Sequence, residues 1–325
     1  MSDEPTMHAM AYGEYGGTEV VQPATLPRPK VAPGEVLVRV RSASVNQVDW
    51  KLMSGGLDAL IDVVFPVVPG WDVAGVVERP AADGSGPAPG ARVVGLVAEG
   101  AWAERVAVPT DTLAALPDGC GLADASTLPV AGLTALRALR KRDLLGRRVL
   151  VTGAAGGVGR FAVQLAARAG ASVTGVVGSP ERGEGLRELG ADDVLVGWDD
   201  ERPPCDLVLE SAGGASLAAA LASVAPGGTV VAYGNSSGDD TTFAVDTVYR
   251  RGGVSLYGFF LFDELRRFPS AAPDLAWLAG EVAAGRLASN IGVEVSWDDD
   301  GQPQGALRDL MERRVPGKAV VRPGV

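Results

Sequence analysis

Val149-Leu150-Val151-Thr152-Gly153-Ala154-Ala155-Gly156-Gly157-Val158-Gly159 runs from an apolar stretch into a glycine-rich turn and on into a helical pattern. A buried strand ending in such a turn, with a helix opening near Gly157, offers unpaired N–H groups and the positive end of a helix dipole to a pyrophosphate. Glycines let the backbone approach phosphates with no Cβ in between. Ala154 stands at the first glycine of the strict G-x-G-x-x-G pattern, so the match is incomplete. The loop gains weight from its place between strand and helix in a run of alternating elements.

Outward from this loop the alternation continues. Strands are expected at 148–152, 172–177, 193–196, 206–210, 228–233 and 255–260, with helices at 157–169, 181–189 and 215–224. That spacing means right-handed crossovers and a doubly wound parallel sheet covered on both faces. Residues 123–142 carry a helical pattern through Leu133, Leu136 and Leu139, interrupted by Pro129. The first third reads differently. Short strands at 34–40, 73–77, 92–97 and 103–108 are broken by turns, with one helix at 48–60, as in an antiparallel or barrel-like β region. Helices at 273–285 and 305–313 and a strand at 318–321 close the chain, and the fold class is α/β.

Composition narrows the chemistry. The 325 residues include 29 basic and 40 acidic side chains, a net charge of −11, which argues against a nucleic-acid partner. One histidine, His8, and two cysteines, Cys120 and Cys205, cannot furnish a four-thiolate zinc site. A Ser-His-Asp hydrolase would have to draw its base from the N-terminal tail. Cys120 and Cys205 read as inert core thiols. The acidic start of the chain and the lack of a long apolar segment predict no membrane span and a cytoplasmic protein.

The choice of dinucleotide falls after the strand at 172–177, in Gly175-Val176-Val177-Gly178-Ser179-Pro180-Glu181-Arg182. An NAD site places an acid at the strand end to bond the ribose 2′-OH. No acid stands there. Ser179 and Arg182 suit a 2′-phosphate instead, which predicts NADP(H).

Several further segments carry a resemblance. They are Pro33-Gly34-Glu35-Val36-Leu37-Val38-Arg39-Val40, Ser44-Val45-Asn46-Gln47-Val48-Asp49-Trp50-Lys51, Pro69-Gly70-Trp71-Asp72-Val73-Ala74-Gly75 and Leu128-Pro129-Val130-Ala131-Gly132-Leu133-Thr134-Ala135. Tyr233-Gly234-Asn235-Ser236-Ser237-Gly238 and Ser255-Leu256-Tyr257-Gly258-Phe259 follow in the same order. Together with the phosphate loop, they make the chain resemble the zinc-free quinone oxidoreductase branch of the medium-chain dehydrogenase/reductases along essentially its whole length. The resemblance implies a GroES-like catalytic domain at 1–122 and 259–325 around a Rossmann domain at 123–258. Zinc-dependent relatives carry Cys and a His-Glu pair where this chain has Asn46, Trp71 and Asp72, so no zinc is expected.

The resemblance also distributes roles. Asn46 and Thr134 match positions lining the nicotinamide pocket, and Ala155, Gly156, Gly157, Val158 and Gly159 match the pyrophosphate loop. Gly178, Ser179 and Arg182 match the 2′-phosphate site. Tyr233, Gly234, Asn235, Ser236 and Ser237 match a cofactor-contacting loop. Gly258, Phe259 and Phe260 match the segment whose backbone holds the carboxamide, and Lys318 falls in a terminal motif near the cofactor. Many quinone reductases have tyrosine at the place of Lys51.

The expected reaction is hydride transfer from NADPH to a quinone or an α,β-unsaturated carbonyl, with Asn46 and Lys51 as donors to the developing oxyanion. Lys51 reads equally as an exposed neighbour of Trp50. Asp49 and Asp72 read as structural. Tyr257, Phe259, Phe260 and Phe262 form either core and subunit interface or the wall of a flat substrate pocket. Two alternatives stay open, an enoyl or ketone reductase tailoring a polyketide-type product and an NADPH-binding protein with little catalysis. The strand at 255–260 is expected at a sheet edge, pairing in a homodimer.

Overall fold

The apolar alternation that begins at Val36 belongs to the first of two compact units, Met1–Ala131 with Pro269–Val325; the other is Gly132–Phe268. The computed structural model describes residues 5–58, 61–199, 202–269, 271–297 and 302–323. The first segment lays down β1 (Thr6–Ala11), β2 (Gln22–Pro27), β3 (Glu35–Val45), α1 (Gln47–Met53), β4 (Asp72–Arg79), β5 (Arg92–Leu96), β6 (Arg105–Pro109), β7 (Leu113–Ala115) and α2 (Leu122–Ser126). The middle segment holds α3 (Leu133–Leu139), β8 (Arg148–Thr152), α4 (Gly157–Arg168), β9 (Ser172–Val177), β10 (Asp193–Val196) and β11 (Cys205–Glu210). It continues with α5 (Gly214–Ser223), β12 (Val224–Ala232), α6 (Val245–Tyr249), β13 (Ser255–Gly258) and α7 (Leu261–Arg267). Last come α8 (Ala272–Ala283), β14 (Ile291–Ser296), α9 (Gln302–Met311) and β15 (Lys318–Arg322).

In the first unit the hairpin β1·β2 accompanies a sheet of order β14-β15-β3-β4-β5-β7, with β6 also on β3. β15 lies antiparallel to β3, pairing Ala319 with Val45 and Val321 with Ala43. Val36, Val38, Val73, Val93, Val108 and Trp102 share one core. Each such side chain contributes roughly 1.5–3 kcal/mol of transfer free energy. Gly70 has φ +93°, and a Cβ there would lie 2.1 Å from the Trp102 ring, so only glycine passes between that ring and β4.

The second unit is a parallel sheet of order β10-β9-β8-β11-β12-β13. Counted within the unit this is 3-2-1-4-5-6, the doubly wound order whose direction reverses between β8 and β11. Leu150, Val208, Leu221 and Val230 fill the core there.

Several elements depart from the pattern read above. The helix expected at 48–60 ends at Met53, where Gly55 takes φ +79°; Ala59 and Leu60 lie outside the described residues. The helical stretch at 123–142 is divided into α2, a π-helical turn at Leu128–Gly132 and α3, because Pro129 has no N–H to give the ladder. The helix expected at 181–189 is a single 3₁₀ turn, Pro180–Gly183, followed by Gly185 at φ +77°. The strand expected at 255–260 ends at Gly258, and β12 begins four residues early at Val224. β1, β2, β14, α6 and α7 were not anticipated. His8 is therefore no tail residue: it sits exposed in β1, its N–H donating to Glu104 Oε2 at 3.1 Å. The units divide at Ala131 and Phe268, whereas the domain boundaries expected above stand at 122/123 and 258/259. α2 packs on β3, β4 and β5, while α7 is tied to α3 through Arg137 Nη1 and the Phe268 carbonyl at 3.0 Å.

Candidate active site

In the first unit, strand register assembles a buried polar cluster. Ser44 on β3 stands opposite Asp72, the first residue of β4, and Val45 stands opposite Ala319 on β15, next to Lys318. Asn46 follows β3 and caps α1, its N–H donating to Asp49 Oδ2 at 2.7 Å. Its side-chain Nδ2 donates to Asp72 Oδ2 at 2.9 Å, and its Oδ1 accepts from Lys318 Nζ at 2.5 Å. Lys318 Nζ also donates to the Val45 carbonyl at 3.0 Å and lies 3.5 Å from Asp72 Oδ2. Asp72 further accepts the Ser44 hydroxyl and, on Oδ1, the Val130 N–H at 2.8 Å. Asp72 is fully buried and Asn46 is 7% exposed, so both ends of the Asn46 amide are held away from water.

Burial pushes the Asp49 carboxyl up to about 7, with the Asp72 charge adding to the rise and the Asn46 N–H and Lys318 opposing it. Burial also lowers the Lys318 ammonium, against the pull of Asp72 and Asp49. Asp49 and Asp72 thus flank one buried lysine. Lys51, on α1, is half-buried, and burial lowers its ammonium. The bonds that knit the cluster come from Ser44, Asn46, Asp49, Asp72 and Lys318.

In the second unit the phosphate loop occupies the reversal point of the sheet. Gly153 follows β8 with φ +59°, and the Gly156 N–H donates to its carbonyl at 2.9 Å. A Cβ on Gly159 would lie 2.3 Å from that same carbonyl, so the turn closes tightly onto α4 only with glycine there. Ala155 is buried, whereas Gly156, Gly157 and Val158 are partly open at the start of α4. The partly open backbone at the start of α4 fits a dinucleotide pyrophosphate.

The neighbouring strand ends converge on it. Thr152 Oγ1 donates to Glu210 Oε1 at 3.2 Å and accepts the Ser211 N–H at 2.9 Å, and the Tyr233 hydroxyl donates to the Thr152 carbonyl at 3.4 Å. Burial raises the Tyr233 phenol. Glu210, fully buried at the end of β11, accepts the N–H groups of Ala212 and Gly213 and the Ser216 hydroxyl, so it ties the loop before α5 to that helix. Sequence reading missed Glu210; its only signal is an acid directly after the apolar run Leu207-Val208-Leu209.

After β9, Gly178 is exposed and Ser179 and Arg182 are half-buried. Glu181 lies beside them: its own backbone N–H and the Ser179 hydroxyl both donate to its carboxylate and lower its pKa. An acid therefore reaches the strand end after all, by folding back onto Ser179. Gly234, Asn235, Ser236 and Ser237 form an exposed loop in which Asn235 Oδ1 accepts the Gly238 N–H at 3.3 Å. Gly258 is exposed at the end of β13. Phe259 is buried with its N–H on the Ala232 carbonyl at 2.8 Å, and Phe260 is half-buried with its ring 6.0 Å from Phe262. Thr134 is buried in α3.

Zinc does not suit the Asn46 cluster. Trp71 presents no ligand atom, and the Lys318 ammonium already takes the oxygens of Asn46 and Asp72. Among the described residues, no group of three or more His, Cys, Asp or Glu side chains is placed to hold a metal ion.

Comparison with known proteins adds to this geometry. A family described as zinc-binding dehydrogenase matches residues 157–277, and the alcohol dehydrogenase GroES-like domain matches residues 32–118. A chloroplast envelope quinone oxidoreductase homolog of Arabidopsis thaliana is 37% identical over 219 residues, covering 64% of this chain and 65% of that protein. A chloroplastic quinone-oxidoreductase of Triphysaria versicolor is 34% identical over 231 residues, covering 68% and 69%. The chain thus spans about two thirds of the length of these relatives. A chloroplastic NADPH-dependent alkenal/one oxidoreductase of Arabidopsis thaliana is 36% identical over 198 residues, covering 57% and 51%. Among solved structures, a mycobacterial protein complexed with NADPH aligns with TM-score 0.84 and 28% identity, covering 98% of this chain and 100% of that one.

Proposed function

Because this chain belongs to the quinone oxidoreductase branch of the medium-chain dehydrogenase/reductases, we propose that it is an oxidoreductase that reduces a quinone or an α,β-unsaturated carbonyl at the expense of NADPH, without zinc. The phosphate loop at the reversal point of the parallel sheet, closed by a glycine at 159 that admits no side chain, carries this reading. Relatives named for quinone and NADPH-dependent alkenal/one reduction support the substrate class.

NADPH, when bound, supplies the hydride and so the hard chemistry. The chain's own residues bind and orient. Backbone N–H groups of Ala155, Gly156, Gly157, Val158 and Gly159 hold the pyrophosphate, and Ser179 and Arg182 hold the 2′-phosphate. The loop Tyr233 to Ser237 would contact the dinucleotide, and the backbone of Gly258, Phe259 and Phe260 would hold the carboxamide. By resemblance, Thr134 of the second unit and Asn46 of the first would each serve the nicotinamide. Asn46 spends one Nδ2 hydrogen on Asp72, and the second is free to donate to a carbonyl oxygen as it gains charge. Lys51, with its ammonium weakened by burial, assists that oxygen, and solvent delivers the last proton.

Two coarser features belong to the same reading. β13 ends the parallel sheet with Leu256 half exposed, and pairing with a second copy would cover it in a homodimer. Among the described residues no helix is long and apolar enough to cross a membrane, in keeping with a cytoplasmic enzyme. The test is the near-ultraviolet absorbance of NADPH mixed with the protein and a panel of quinones, enones and alkenals. Loss of absorbance with quinones or enones is the expected result. Tight NADPH binding with no turnover of any acceptor would leave only a binding protein.

A further inference from the structure

Arg160 stands where helix electrostatics disfavours it. α4 opens at Gly157, so Arg160 lies in its first turn, near the positive end of the dipole, where a cation is repelled and an anion attracted. Its guanidinium is half-buried, and burial lowers its pKa with no acidic neighbour offsetting the loss.

Its partners are two neutral carbonyls. Nε donates to Ala155 at 3.3 Å and Nη2 to Glu184 at 2.9 Å. Other arginines of the same unit, Arg147, Arg187, Arg202 and Arg250 among them, reach an aspartate. No described carboxylate pairs with Arg160. A guanidinium has five N–H donors, so after two bonds about three remain. Gly185, at φ +77°, presents no side chain to Nη1; a Cβ there would stand 3.6 Å away.

The two carbonyls locate the unspent charge. Ala155 belongs to the phosphate loop, and Glu184 directly follows the 3₁₀ turn that carries Arg182 and begins next to Ser179. We propose that Arg160 is a second guanidinium of the 2′-phosphate site and so a residue that determines preference for NADPH over NADH. Glu181, on the same turn, engages Ser179. The proposal rests on the NADPH reading above.

Calorimetric titration of the full chain with NADP+ and NAD+ tests it. Arg160→Gln keeps an N–H donor for the carbonyls and removes the charge. It should weaken NADP+ binding about tenfold and NAD+ binding less than about twofold, as expected for one lost charge-assisted bond. Arg160→Lys, which keeps charge without the fork, should fall between the two on NADP+ alone; it also serves if the glutamine variant does not fold. Equal losses for both dinucleotides would place the charge on the pyrophosphate and overturn the proposal, as would no loss for either. Wild-type protein that binds neither dinucleotide sinks the NADPH reading itself. Wild-type protein that binds NADP+ no better than the variants sinks only the role of Arg160.

Discussion

Lys318 is a buried cation whose three oxygen partners come from one carbonyl, one amide and one carboxylate. Replacing it by methionine would strand the Asp72 charge, and breaking a buried pair in this way costs about 3–5 kcal/mol. Urea denaturation of Lys318→Met should register that loss, and a stability within ~1 kcal/mol of wild type would show the pair to be dispensable. Asp49 gives the opposite sign. Its folded pKa lies above the unfolded value, so its contribution is fully present below the unfolded value of 3.8 and is lost as pH rises through about 7. Asp49→Asn should therefore gain stability relative to wild type on going from about pH 5 to about pH 9, measured as the Tm difference across that range. Little of this was visible in the sequence. Asn46 and Lys318 stood out by resemblance as separate motifs, yet they bond to each other across 272 positions, and only strand register brings them together. Glu210 was invisible because an acid at a strand end looks the same whether it bonds a buried loop or meets water.

At the scale of elements, the β8-loop-α4 unit was fully legible, since its apolar run, glycine turn and helical period occupy consecutive residues. The segment after β9 was not. Apolar residues at 181–189 mimic a helix, but Gly183 and Gly185 weaken its ladder, and what survives is a tight turn that carries Arg182 and turns Glu181 back onto Ser179. The loop and the turn make different demands on substitution. Gly159→Ala forces a Cβ to within 2.3 Å of the Gly153 carbonyl, so the loop must open. Titration should show NADP+ affinity reduced at least about tenfold, together with a lowered Tm, because the N–H groups no longer converge. Unchanged affinity would mean that the cradle tolerates a wider turn than its geometry implies.

For the whole molecule, alternation of strand and helix announced one unit and the short strands announced the other, whereas β1, β2 and β14 escaped notice, although β14 alternates Ile291, Val293 and Val295 with Gly292, Glu294 and Ser296. The edge strand β13 makes a prediction at this scale. Leu256 is 50% exposed, and Val245 and Tyr249 of the same unit are 68% and 62% exposed. Leu256→Arg should convert a dimer into a monomer by light scattering, and a wild-type protein already monomeric would remove the proposed pairing. The closing strand carries a last consequence, for the order in which the chain is born. β3 needs β15, and β15 ends at Arg322, so about 190 residues leave the ribosome between the end of the first segment at Ala131 and the arrival of its partner. At roughly 5–20 residues per second that is a wait on the order of ten to forty seconds, during which the flank of β3 awaiting β15 is a template for any passing chain. The unit Gly132–Phe268 is complete well before then, so in the cell the parallel-sheet unit is finished first and the unit that holds Asn46, though begun earlier, is finished last.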